Sequence, residues 1–203
     1  MTFDSTRAMG AMTAMTTHEL QNILAIIRES AGLLGDILDI NAKVALQHRP
    51  KIHEALEHIA TQVDRGKRLL TAMNRLGHAT DVEQQESCDL SPQVAALMDL
   101  CQRPARLKEI QLRFTPAGQP LPVRTPAMDV FSRGFTVLRA AIDLCPAGSV
   151  LDASIVPGPP QHALVMTLPV APKDSPVLAA LAEAGHIEIH DQTIRLPFPA
   201  ATP

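Results

Sequence analysis

The 203-residue chain is 46% hydrophobic and 19% charged, a globular composition that excludes a wholly disordered polymer and suits one large domain or two small ones. Its aromatic content is 2%, five Phe with neither Trp nor Tyr, so the core is aliphatic and aromatic base-stacking platforms are not expected. The net charge of −3 speaks against a basic nucleic-acid surface, and no nucleic-acid partner is expected.

The start of the chain lacks a basic segment followed by an apolar run, and no stretch of about 18 apolar residues occurs. Neither a secretory signal nor a membrane contact is expected, and the expected location is cytoplasmic. Cys88, Cys101 and Cys145 are too few and too scattered for a disulfide framework or a four-thiolate zinc site. They read as buried thiols of a reducing compartment.

Proline divides the chain. Residues 1–78 contain only Pro50, whereas 16 of the 17 prolines lie at or after Pro92; long helices fit only the first part. There, Met12, Met15, Leu20, Ile23, Ile27, Leu34 and Leu38 recur at helical spacing. A second helix opens at Arg49-Pro50 with Pro at its first turn, and runs through Ile52, Leu56, Ile59, Val63, Leu70, Met73 and Leu76 to Gly77. Each helix is roughly 30 residues and about 45 Å long. The short connection from Asn41 to His48 makes them an antiparallel hairpin. Two such helices cover only one face of each other. A second copy of the hairpin, giving a dimeric four-helix bundle, would cover the rest; folding the second half of the chain against the hairpin is the monomeric alternative.

The polar run of residues 80–89 reads as a linker between a helical hairpin at 1–79 and an α/β unit at 90–203. Ser91-Pro92 reads as an N-cap followed by Pro, opening a helix to about Arg103. Ile110 to Phe114 alternates as a strand, and Ala127 to Cys145 is helical. Strands at Ser149 to Val156 and His162 to Leu168 flank the Pro157–Pro160 turn. A short helix from Val177 to Ala184 precedes a hairpin of His186–His190 with Thr193–Phe198. The fold class is α+β: a long antiparallel helical hairpin followed by a small α/β sandwich.

The chemistry concentrates in His18-Glu19-Leu20-Gln21-Asn22. His18 lies nine positions from Ile27, about 180° round a helix, so it faces outward, with Asn22 one turn on. Histidine is a nucleophile that stays largely uncharged near neutral pH. Glu19 is placed to hold the ring or accept its proton. The other histidines are less telling. His53 and His58 miss the four-residue spacing of a zinc pair. His186, Glu188 and His190 alternate along a strand and read as a solvated edge. No metal and no cofactor of its own is expected.

The His18-Glu19-x-x-Asn22 motif resembles the H-box of bacterial histidine kinases, with Ile23 where that family usually has Pro. The order of hairpin, linker and an α/β domain opening at Asp89-Leu90-Ser91-Pro92 is similar to their dimerisation and phosphotransfer domain followed by an ATPase domain. The resemblance implies His18 as phosphoacceptor, with Glu19 and Asn22 orienting or polarising the ring. It also implies a nucleotide site, which this chain lacks in several places. Thr136 and Ala140 stand where the pattern has Asn, and no Asn follows Asn74. Asp174 has no Gly beside it, and no Gly-x-Gly occurs among the five glycines after residue 80, so backbone amides have no tight cradle for phosphates. A retained phosphoacceptor with a degenerate ATPase domain resembles the dimeric histidine phosphotransferases of the ChpT type. The implied partners are receiver domains of response regulators and of a hybrid histidine kinase, with Mg²⁺ brought by the receiver. Arg28, Lys67 and Arg68 are the expected receiver-docking residues. The alternatives are a kinase or response-regulator phosphatase with an atypical nucleotide site, or a non-catalytic receiver-binding module.

Overall fold

A computed structural model describes residues 5–40, 49–80 and 86–201. Helix α1 (Ser5–Ile40) and helix α2 (Arg49–Gly77) lie against each other; the expected connection at 41–48 is outside the described residues. The sandwich follows as β1 (Cys88–Asp89), α3 (Leu90–Leu107), β2 (Gln111–Thr115), β3 (Pro122–Val123), α4 (Ala127–Leu144), β4 (Val150–Val156), β5 (Gln161–Thr167), α5 (Pro176–Glu183), β6 (Glu188–His190) and β7 (Thr193–Pro199). The fold is α+β.

The main sheet has the order β2-β4-β5-β7-β6, with β2 and β4 parallel and every other pair antiparallel. Alternation along its strands buries Leu151, Ala153 and Ile155 on β4, and Ile194, Leu196 and Phe198 on β7. These side chains form one core with the buried faces of α3, α4 and α5. Gly134 lets α3 and α4 approach: a Cβ there would lie 2.5 Å from Leu97 Cδ2.

Two expectations about this half need correction. Alternation and turn signals did not reveal the two-residue β1–β3 pair, too short to carry a period. The N-cap of α3 is Asp89 rather than Ser91: the Asp89 carboxylate accepts from Ser91 N (3.1 Å) and also from Leu121 N (3.0 Å). A carboxylate serves two amides where a hydroxyl at Ser91 would serve one, and residues 88–89 are therefore structured rather than linker.

The hairpin divides into a covered half and an uncovered half. α3 packs on α2, and α4 packs on α1, with Ser5 Oγ 3.4 Å from Ser132 Oγ. The buried residues of α1 are Ala8, Met12, Thr16, Glu19 and Ile23, with Ile37 alone farther along, and those of α2 include Leu69, Ala72 and Leu76. Leu34 and Leu38, members of the expected apolar stripe, are half-buried and exposed. They lie beyond the reach of the sandwich. The sandwich thus covers the first half of α1 and the last third of α2 alone.

Burial pushes the Cys101 thiol up to about 12, with Arg139 opposing, and burial with the neighbouring Asp89 charge raises Cys88 to about 12. Unfolded thiols ionise at about 8.5, so the unfolded chain releases these protons first as pH rises. The resulting stabilisation is complete below about pH 8.5 and is lost progressively above it. The urea midpoint is expected to fall on going from about pH 8 to about pH 10.5, with a smaller fall in Cys101→Ala. Equilibrium denaturation across that range checks both.

Candidate functional site

The site lies where α1, α2 and α3 meet. His18 is exposed on α1. Glu19, the next residue, lies about 100° round the helix and is 3% exposed, because helical spacing puts position 19 in the same stripe as Met12, Thr16 and Ile23. A buried carboxylate requires partners. Arg103 Nη1 on α3 donates to Glu19 Oε2 at 2.6 Å, and Arg106 Nη2 donates to Oε1 at 2.8 Å. Arg65 on α2 pairs with the same Oε1. Arg65 and Arg103 are themselves largely buried, and Arg106 is half-exposed.

This geometry corrects the role expected for Glu19. Its two oxygens are taken by guanidinium groups, and adjacent positions on a helix diverge by about 100°, so the carboxylate does not hold the His18 ring. Asn22 does approach it: one terminal atom of its amide lies 3.3 Å from His18 Nδ1. That end of the amide also faces Arg103, and as oxygen it accepts from Arg103 Nη1 and from Nη2 at 3.1 Å. One guanidinium therefore spans Glu19 and Asn22, one helical turn apart.

Of the three expected docking residues, Arg68 is the one that borders this centre. Arg28 and Lys67 are exposed, Lys67 lying 3.8 Å from Asp64 on its own helix. Arg68 lines a cleft of about 260 Å³ together with Glu19, Arg65, Asp99, Arg103 and Arg106. Burial raises the Asp99 carboxyl above the usual carboxylate range, with the Arg68 charge opposing. The cleft thus holds four guanidinium groups against two carboxylates, one of them hard to ionise. A second cleft of about 390 Å³ opens beside Asn22, Ala25, Ile26 and Leu107.

Arg65, Arg103 and Arg106 were not anticipated. The signal was present in part: Glu19 falls in the 12-16-19-23 register of the buried stripe, so its charge had to be met. Arg103 and Arg106 are three apart on one helix face. Which arginines meet Glu19 depends on packing between elements far apart in sequence.

Thr136 and Ala140 lie on α4. Thr136 Oγ1 donates to Ser132 O at 2.8 Å and Ala140 is buried, and both line a cavity of about 630 Å³ whose other wall is Arg7, Ala8, Ala11 and Met15 of α1. Asp174 is exposed on the short helical turn Pro172–Asp174. Among the described residues, no group of three His, Cys, Asp or Glu side chains converges as metal ligands, and no helix is long and apolar enough to cross a membrane.

Glu19→Gln leaves the arginine cluster without its anion. Removing one member of a buried ion pair is expected to cost about 3–5 kcal/mol, read as a lowered midpoint in equilibrium urea denaturation.

No protein-family model matches the sequence, and no curated protein matches it. Among solved structures the chain is similar to the Acinetobacter baumannii histidine kinase AdeS, with 14% identity over 87% of this chain and 97% of that one and a TM-score of 0.41. It is similar to a bacterial phosphotransferase, with 12% identity over 93% of this chain and 95% of that one and a TM-score of 0.43. It is also similar to the histidine kinase ThkA in complex with response regulator protein TrrA, with 16% identity over 96% of this chain and 62% of that one and a TM-score of 0.45.

Proposed function

We propose that this chain is a histidine phosphotransfer protein of a two-component phosphorelay. His18 takes a phosphoryl group from the aspartyl phosphate of one receiver domain and passes it to the aspartate of another. The observation that carries the reading is an exposed imidazole on a braced helix, with Asn22 and the Arg103 guanidinium beside it. Transfer from an acyl phosphate asks little beyond an aligned nucleophile and charge compensation, since the receiver brings the activated phosphoryl group and its Mg²⁺. The surplus of guanidinium groups in the adjoining cleft favours an acidic receiver surface, and Arg28 and Lys67 are further exposed cations of the hairpin.

The kinase alternative finds less support. It needs nucleotide-binding chemistry, and the α4 face bearing Thr136 and Ala140 looks across a cavity at α1. That face carries no amide side chain, and no Gly-rich loop follows it in the sequence.

The protein acts as a homodimer in this reading. On α1, Leu24, Ile27, Ala31, Leu34 and Leu38 follow alternating three- and four-residue steps, and on α2, Leu56, Val63 and Leu70 are seven apart. Leu24, Leu38, Leu56 and Leu70 are 48–65% exposed. Such a seam calls for another helix pair, and a second copy of this hairpin supplies one of matching length. Leu38→Glu combined with Leu70→Glu is expected to convert dimer to monomer in sedimentation equilibrium. An unchanged mass for the variant, or a monomeric wild type at tens of micromolar, contradicts the dimer.

The function is tested by transfer from labelled, phosphorylated receiver domains. Acid-labile label is expected on the wild type and not on His18→Ala. Label on neither protein, with receiver binding retained, would replace transfer by non-catalytic receiver binding.

A further inference from the structure

The geometry points to Arg103 as a positioning residue for His18: through the Asn22 amide it selects the ring form in which Nδ1 carries the proton and Nε2 is the free nucleophile. As a role in phosphoryl transfer this rests on the function proposed above. As a statement about the ring it needs only the contacts themselves.

A guanidinium group can only donate. The end of the Asn22 amide that faces Arg103 is therefore its oxygen. That same end lies 3.3 Å from His18 Nδ1. A carbonyl oxygen only accepts, so Nδ1 is attracted to it as N–H and repelled from it as a bare lone pair. A neutral imidazole has one N–H, and placing it on Nδ1 leaves the Nε2 lone pair unprotonated.

Arg103 is what fixes the amide. Without it, Asn22 is free to turn its NH₂ toward Nδ1, which would favour the opposite tautomer. Arg103 is itself held by Glu19, whose Oε2 accepts from Nη1 at 2.6 Å, and by its place on α3 against the hairpin. Glu19 thus acts on the ring at one remove. Its own oxygens are engaged by Arg65, Arg103 and Arg106.

The consequence for transfer is specific. The Nε2 lone pair attacks the phosphorus of the aspartyl phosphate. The N–P bond forms, the P–O bond to the aspartate breaks, and its electron pair leaves with the carboxylate. The Nδ1 proton stays on the ring throughout. The positive charge that develops on the imidazole is shared with the Asn22 oxygen, which accepts from Nδ1–H before and after the step. No proton has to move when phosphorus changes partners.

The test reads the tautomer directly, by long-range ¹H–¹⁵N correlation on the ¹⁵N-labelled full chain at a pH where the ring is neutral. His18 is identified by the signals lost in His18→Gln. The wild type is expected to show a pyrrole-type Nδ1 and a pyridine-type Nε2. Asn22→Leu removes the oxygen and leaves the Glu19 cluster in place; Arg103→Met removes the group that orients the amide. In both, the Nε2–H form that free imidazole side chains favour in water is expected to become the major one. A wild-type ring with Nε2 protonated overturns the inference, as does a wild-type tautomer ratio retained in either variant. If Arg103→Met does not fold, the wild type and Asn22→Leu remain decisive. The spectrum needs no phosphoryl donor, so a chain that never takes label still answers it. A wild type that takes label on His18 with the opposite tautomer refutes this inference and leaves the transfer function standing.

Discussion

A single carboxylate, that of Glu19, sets the terms for the junction between the hairpin and the sandwich. It is 3% exposed and meets arginines from two other elements, Arg65 of α2 and Arg103 and Arg106 of α3. Buried ion pairs contribute little net stability compared with apolar packing, but misplacing one partner is heavily penalised. The cluster therefore works as a register mark. α3 can slide along the hairpin only by uncovering a buried charge. The alignment of Arg103 with Asn22 follows from that restriction, since both contacts come from one guanidinium group.

Near the sandwich, α1 buries small and flexible residues, Ala8, Met12 and Thr16, which allow α4 to lie close. Farther along, several of its apolar residues are larger and exposed, with Leu24 at 65% and Leu38 at 54%, although Ile37 is buried. His18 sits near the boundary. The imidazole is approached from one side by Asn22 and Arg103, yet faces a region where the hairpin surface is open to another molecule.

Much of the architecture was legible because it follows from short-range rules. The proline distribution separated long helices from the sandwich. Alternation in β4 and β7 and the apolar face of α4 gave their places within a residue or two. The outward face of His18 followed from helical geometry alone. The periodic stripe on α1 showed which face is apolar and not what covers it, so the exposure of Leu38 could not be read from it. The inward turn of Glu19 was readable in the 12-16-19-23 spacing, but a motif in which the acid follows the histidine drew attention to the ring instead. Its arginine partners are 46 to 87 positions away along the chain, beyond any local rule.

Asp89 and Arg103 mark the two ends of a rod. The Asp89 carboxylate ties the start of α3 to Leu121 N, and Arg103 lies fourteen residues on, about 21 Å along the axis. Over that span a tilt of about 3° at the pinned end displaces the guanidinium by about 1 Å, a large fraction of a hydrogen-bond length. α3 is thus a lever with its pivot in the sandwich and its tip at the histidine. The aim of His18 is set in part by the stiffness of a joint that never touches it.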